Sequence, residues 1–111
     1  MYRSLGVITN VAAGTIIRAT SSQSDPTVRV AAHSVKFQQH VTNTGRIYIG
    51  PSTLVVSTET DILAVIPANA PGILPEYEFI LHDVPIGFNA ADFYIDVEVS
   101  GEKCYVSYSG R

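Results

Sequence analysis

Three histidines, one cysteine and ten carboxylates are the groups with which this chain could do chemistry, and their spacing argues against most of it. A metal ion needs several His, Cys, Asp or Glu side chains on one side of a rigid frame. His33 and His40 lie seven residues apart in a run of strand composition, so an unbroken strand sends them to opposite faces. His82 is followed by Asp83, but neither belongs to a ligand-spaced motif. Asp96 and Glu98 alternate so as to point the same way, and with Asp92 nearby they would suit a calcium ion. Solvated acids on an outer strand face are the simpler reading, and no metal or cofactor is expected.

Nucleophilic chemistry fares no better. The chain contains no Gly-x-Ser-x-Gly elbow, no Cys/His pairing with a local signature and no carboxylate pair in a cleft context. Cys104 sits in the strand-like run Cys104-Tyr-Val-Ser-Tyr108, which suits a buried small hydrophobe, and as the sole cysteine it has no disulfide partner within the chain. Gly45 and Gly50 are turn and strand-end glycines without the Lys-Ser/Thr ending that a phosphate-binding loop requires. The expectation is a protein that is not an enzyme. The seven Lys and Arg residues are scattered and the net charge is -3, which argues against a nucleic-acid partner because phosphate neutralisation needs clustered cations.

The elements that would hold these residues are strands. Apolar residues recur with a period near 2, and β-branched residues and tyrosine supply most of the pattern. In residues 93–99, Phe93, Ile95, Val97 and Val99 alternate with Tyr94, Asp96 and Glu98; Ser100-Gly-Glu-Lys103 reads as a turn, and residues 104–108 as the returning strand of a hairpin. A second hairpin is expected from residues 33–41 and 46–50, with Val35, Phe37, Gln39 and Val41 on one face and Asn43-Thr-Gly45 as the turn. Gln39 is discordant on that apolar face. Shorter strands are expected at 5–9, 14–20, 53–56, 63–66 and 77–81, a helical turn capped by Asn89 within 87–92, and a competing helix over 58–66 that Pro67 would stop. The sum is an all-β single domain over residues 1–111, an antiparallel β-sandwich or small barrel of about seven to eight short strands.

Charged residues make up 15% of the chain against about 25% in an average soluble protein. A domain of 111 residues has proportionally much surface, so its exterior must be largely neutral or apolar, as surfaces covered by another subunit are. The longest apolar run, residues 62–66, is far short of the ~20 residues that span a bilayer, so no membrane partner is expected. Residues 1–10 lack a secretory apolar core, and synthesis in a cytoplasm is expected. A glycan-binding sandwich is the rival from another class. It would stack sugars on tyrosine in the absence of tryptophan, and Tyr94, placed on the polar face beside Asp96, is its best platform.

The segment Asn43-Thr-Gly-Arg-Ile-Tyr-Ile-Gly50, the Pro71-Gly72 turn and Ala91-Asp-Phe-Tyr-Ile-Asp-Val-Glu-Val-Ser-Gly101 with its returning strand are similar to small β-sandwich structural proteins of tailed bacteriophages, among them head decoration or cement proteins. The resemblance covers roughly residues 38–108. Pro51 directly after the strand and a longer Pro-rich loop depart from that pattern, leaving a tail or head-to-tail adaptor location open. The resemblance implies a capsid decoration protein in the virion, a homotrimer seated between major capsid protein subunits or against another virion protein. The candidate contact regions are an N-terminal arm at residues 1–8, with Tyr2, Arg3, Leu5 and Val7, and the uncharged loop 67–75, with Pro67, Pro71, Ile73, Leu74 and Pro75.

Overall fold

The computed structural model describes residues 2–80 and 88–110. In chain order its strands are β1 (Tyr2–Thr9), β2 (Ile17–Arg18), β3 (Ala31–Gln39), β4 (Ile47–Gly50), β5 (Ala64–Ile66), β6 (Glu76–Ile80), β7 (Phe88–Asn89), β8 (Tyr94–Val97) and β9 (Lys103–Gly110). They form two antiparallel sheets packed as a sandwich. One sheet runs β1-β9-β3-β6, with the two-residue β7 also on β3; the other runs β2-β8-β4-β5. Setting β7 aside, this is the strand order of an eight-stranded jelly roll.

Alternation fixes what each strand buries. On β3, Val35, Phe37 and Gln39 point inward, opposite Tyr108, Val106 and Cys104 of β9. From the other sheet Ile47 and Ile49 of β4 come inward, flanked by Val97 and Ile95 of β8 and by Ile66 and Ala64 of β5. Each fully buried Ile, Val or Phe contributes roughly 1.5–3 kcal/mol relative to exposure. Phe37 sits at the centre and meets Phe79 and Phe93 edge-on, with ring centroids 6.0 and 5.8 Å away.

Neither expected hairpin exists. β8 pairs with β2 and β4, whereas β9 pairs with β1 and β3; likewise β3 and β4 belong to different sheets. Both short links are corners that carry the chain from one sheet to the other. A hairpin turn and a sandwich corner have the same local signature, a few polar and glycine residues between two alternating runs. They differ in where the backbone groups of the link go: here the Thr44 and Gly45 N–H groups of the β3–β4 link go to the Glu102 side chain, and in the β8–β9 link the Gly101 N–H and Glu102 carbonyl go to the backbone of Asn10.

Smaller departures have local causes. The stretch 58–66 forms no helix: Val55 and Thr60 close a short loop by an isolated bridge, and only Ala64–Ile66 is strand. The strand expected at 14–20 shrinks to Ile17–Arg18 because Asn10 and the turn Ala12–Thr15 hold the preceding backbone. Asn89 caps a single 3-10 turn (Ala90–Asp92) by accepting the Ala91 N–H, as expected of it. Residues 2–8 are not a free arm but most of β1, the edge strand beside β9. Val41 and Val99 lie past the ends of their strands and are exposed.

Candidate functional site

The links following β1, β3, β5 and β8 gather at one end of the sandwich around a buried polar cluster. The Asn43 side chain binds Lys103 on both sides, accepting its N–H at 2.9 Å and donating to its carbonyl, and donates to Gln39 Oε1 at 2.7 Å. Gln39 Nε2 in turn donates to the carbonyls of Gly45 and Pro67 at 2.9 and 3.0 Å. Glu102 accepts the Thr44 N–H at 2.6 Å and the Gly45 N–H at 2.8 Å. The discordant glutamine of the sequence therefore ties the β3–β4 corner to the base of the 67–75 loop, and Asn43 joins both to Lys103.

That loop is pinned at its base and apolar at its tip. Asn69 Nδ2 donates to the carbonyls of His40 and Asn43, Gln39 N–H donates to Pro75 O, and Ala70 and Ile73 form a bridge. Ile73 is 60% exposed and Leu74 41%, while Pro67 and Pro71 are also exposed and Pro75 is half-buried. On β1, Tyr2, Arg3 and Val7 are exposed, but Leu5 is only 3% exposed. Leu5 falls at the β-bulge between Ser4 and Gly6, which turns its side chain into the core, so it is not a contact residue. β1 and β6 are opposite edges of their sheet, so the two candidate regions do not merge into one patch.

The carboxylates considered for an ion are not brought together. Asp96 is buried rather than solvated, its Oδ1 accepting the N–H of Gly14 at 3.0 Å and of Val97 at 2.8 Å. Asp92 lies by Asn89, and Glu98 accepts the Arg46 N–H at 3.2 Å. Among the described residues no three His, Cys, Asp or Glu side chains gather as a metal site. His33 is exposed on β3, whereas His40, just beyond it, stacks on Tyr105 and bonds Thr42. His82 and Asp83 lie outside the described residues. Cys104 is buried, and desolvation pushes its thiol up to about 12, so it is a packing residue.

On the outer face of the second sheet lies a cavity of about 390 Å³, open to solvent and lined by Arg46, Tyr48, Val56, Glu59, Ile62 and Val65. Tyr48 and Val65 are cross-strand partners on β4 and β5, so alternation aims both outward. The far wall is the closed loop 55–60, in which Val55 and Thr60 exchange both backbone hydrogen bonds, at 3.0 and 2.9 Å. Tyr94, the best sugar platform by sequence, lies outside this cavity, with the Arg18 guanidinium 5.2 Å from the centre of its ring. The sequence placed Tyr48 and Val65 in runs of strand composition, but nothing in it signalled that Val56 and Glu59 would line a cavity with them, because a closed loop that folds back over a sheet has no periodicity.

The fold and its surfaces define a β-sandwich of jelly-roll topology with a rigid apolar loop at one end and a mixed cavity on one face. No family model, curated protein or solved structure matches the chain.

Proposed function

We propose that the protein acts by association rather than catalysis, as a virion structural protein of the head-decoration type that binds between major capsid protein subunits. The observation that carries this reading is the loop 67–75. It contains no charged residue, presents Ile73 and Leu74 to solvent, and is held by side-chain bonds from Gln39 and Asn69. An apolar tip that is already ordered loses little conformational entropy on docking. Its burial contributes roughly 25 cal/mol per Å² of apolar surface, repeated over many copies on a particle. The resemblance of residues 38–108 to phage decoration proteins supplies the partner class, although its closing hairpin is here a sheet-to-sheet corner. Jelly rolls occur in viral capsid and lectin domains alike, so the topology accords with this reading without selecting it.

The exposed Tyr2, Arg3 and Val7 on the opposite edge give a second contact region. Two unlike surfaces on opposite edges suit a head-to-tail ring such as a homotrimer. Contacts at β1 would run through side chains more than through strand addition, because the Ser4/Gly6 bulge interrupts the edge and Ser22 and Gln23 occupy the Leu5 carbonyl.

Co-sedimentation with undecorated phage capsids tests the proposal, with Ile73→Asp as the variant and light scattering for the oligomeric state. Saturable binding to heads that Ile73→Asp weakens at least tenfold, with an unchanged circular dichroism spectrum, is the expected result. Binding only to tails or connectors would assign the protein to the adaptor, and a stable monomer that binds no virion component would overturn the reading.

A further inference from the structure

The cavity on the outer face of the β2-β8-β4-β5 sheet combines an apolar floor with polar groups that the fold itself does not use. Val56, Ile62 and Val65 supply aliphatic surface. Arg46, Tyr48 and Glu59 line the cavity as well, and their side chains make no ion pair or hydrogen bond among the described residues. Residues carrying one donor fork, one hydroxyl and one acceptor thus border a space of about 390 Å³, at the small end of ligand-binding clefts.

The wall that carries Glu59 is strained. Glu59 has φ +56° and Asp61 φ +54°, both left-handed and neither glycine. Glu59 closes the four-residue loop between Val55 and Thr60, with its N–H on the Val56 carbonyl at 3.0 Å. That closing position is where glycine would cost least. A side chain retained there against backbone preference points to a role for the side chain, since such strain concentrates at binding sites. The chain that follows the wall is anchored to β4: Leu63 N–H donates to Ile49 O at 2.9 Å, and the Asp61 carbonyl packs so closely on Gly50 that a Cβ there would collide with it. The cavity is preformed.

We infer that this cavity binds an acidic sugar unit, a hexuronate or sialic-acid-type residue, whose carboxylate pairs with Arg46 and whose hydroxyls donate to Glu59. A guanidinium fork matches a carboxylate in two parallel hydrogen bonds, and a carboxylate such as Glu59 accepts from adjacent hydroxyls. Tyr48 and the three aliphatic residues face the C–H surface of the ring. The site is independent of the 67–75 loop, so its test does not depend on the association reading.

The test is an NMR titration of ¹⁵N-labelled protein with methyl β-D-glucuronide and the methyl glycoside of N-acetylneuraminic acid, with methyl β-D-glucoside as the neutral control. Saturable shifts confined to residues 46–48 and 55–65 are expected with at least one acidic glycoside at millimolar concentration, and at least tenfold weaker binding of the glucoside. Arg46→Gln removes that discrimination. Glu59→Gly weakens binding at least tenfold while raising Tm by several degrees, because glycine relieves the left-handed backbone. The opposite pattern overturns the inference: no saturable shift with either acidic glycoside, equal binding of the glucoside, or a Tm that falls on Glu59→Gly.

Discussion

The side-chain amide of Asn43 donates to the side-chain carbonyl of Gln39 at 2.7 Å, inside the protein and at the point where the chain leaves one sheet for the other. Gln39 is the last residue of β3, and Asn43 lies in the link to β4. Because Asn43 also holds both backbone groups of Lys103, the first residue of β9, this pair ties two crossings of the sandwich together. A buried polar group is costly unless it is bonded, and here the side chains of Gln39, Asn43 and Glu102 supply bonds to backbone groups that no sheet ladder pairs.

Removing one member should therefore cost more than a single hydrogen bond. Asn43→Ala leaves Gln39 Oε1 and both Lys103 backbone groups without this partner and should destabilise the fold by about 2–4 kcal/mol. Urea unfolding of the variant against the parent protein measures it. Thr42→Ala, which removes only the exposed bond to His40 in the same link, should cost no more than about 1 kcal/mol.

Cys104 gives a pH dependence with a defined sign. Burial raises its folded pKa from 9.0 to about 12, so above pH 9 the unfolded chain releases a proton that the folded chain retains. Stability attributable to this residue is complete below pH 9 and declines as pH rises toward 12, by up to about 1.4 kcal/mol per pH unit. Chemical denaturation at stepped alkaline pH should show a slope that Cys104→Ala lacks. At pH 8 the native thiol should resist iodoacetamide and react on unfolding, as mass spectrometry would record.

Gly50 tests whether the cavity wall depends on close backbone approach. A Cβ at this position would collide with the Asp61 carbonyl oxygen and lie 3.1 Å from the Leu54 side chain. Gly50→Ala should cost roughly 1–3 kcal/mol and displace the 55–63 segment, seen as amide shifts that extend to Val56, Glu59 and Ile62 while Asn43 and Lys103 stay in place.

Which residues face the core is largely legible in the sequence. Val35, Phe37, Ile95 and Val97 lie on the inner faces that their alternation assigns, because the side-chain period of a strand is a property of the strand alone. The apolar loop 67–75 can be read in the same way from its prolines and its lack of charge, and Cys104 from the strand around it. Which strand pairs with which is not legible. A link of a few residues after β3 or β8 fits a hairpin or a corner equally well, and the choice rests on partners remote in sequence: Gln39 and Asn43 reaching Pro67 and Lys103, and Glu102 reaching Thr44 and Gly45. The same holds for the cavity. Arg46, Tyr48 and Glu59 border it together only because a closed loop folds back over the sheet and a glycine at position 50 lets it dock. Local pattern thus determined the strands and their inward faces, while the jelly-roll order, the buried polar tie and the cavity were decided by long-range bonds that exist only once the two sheets are packed.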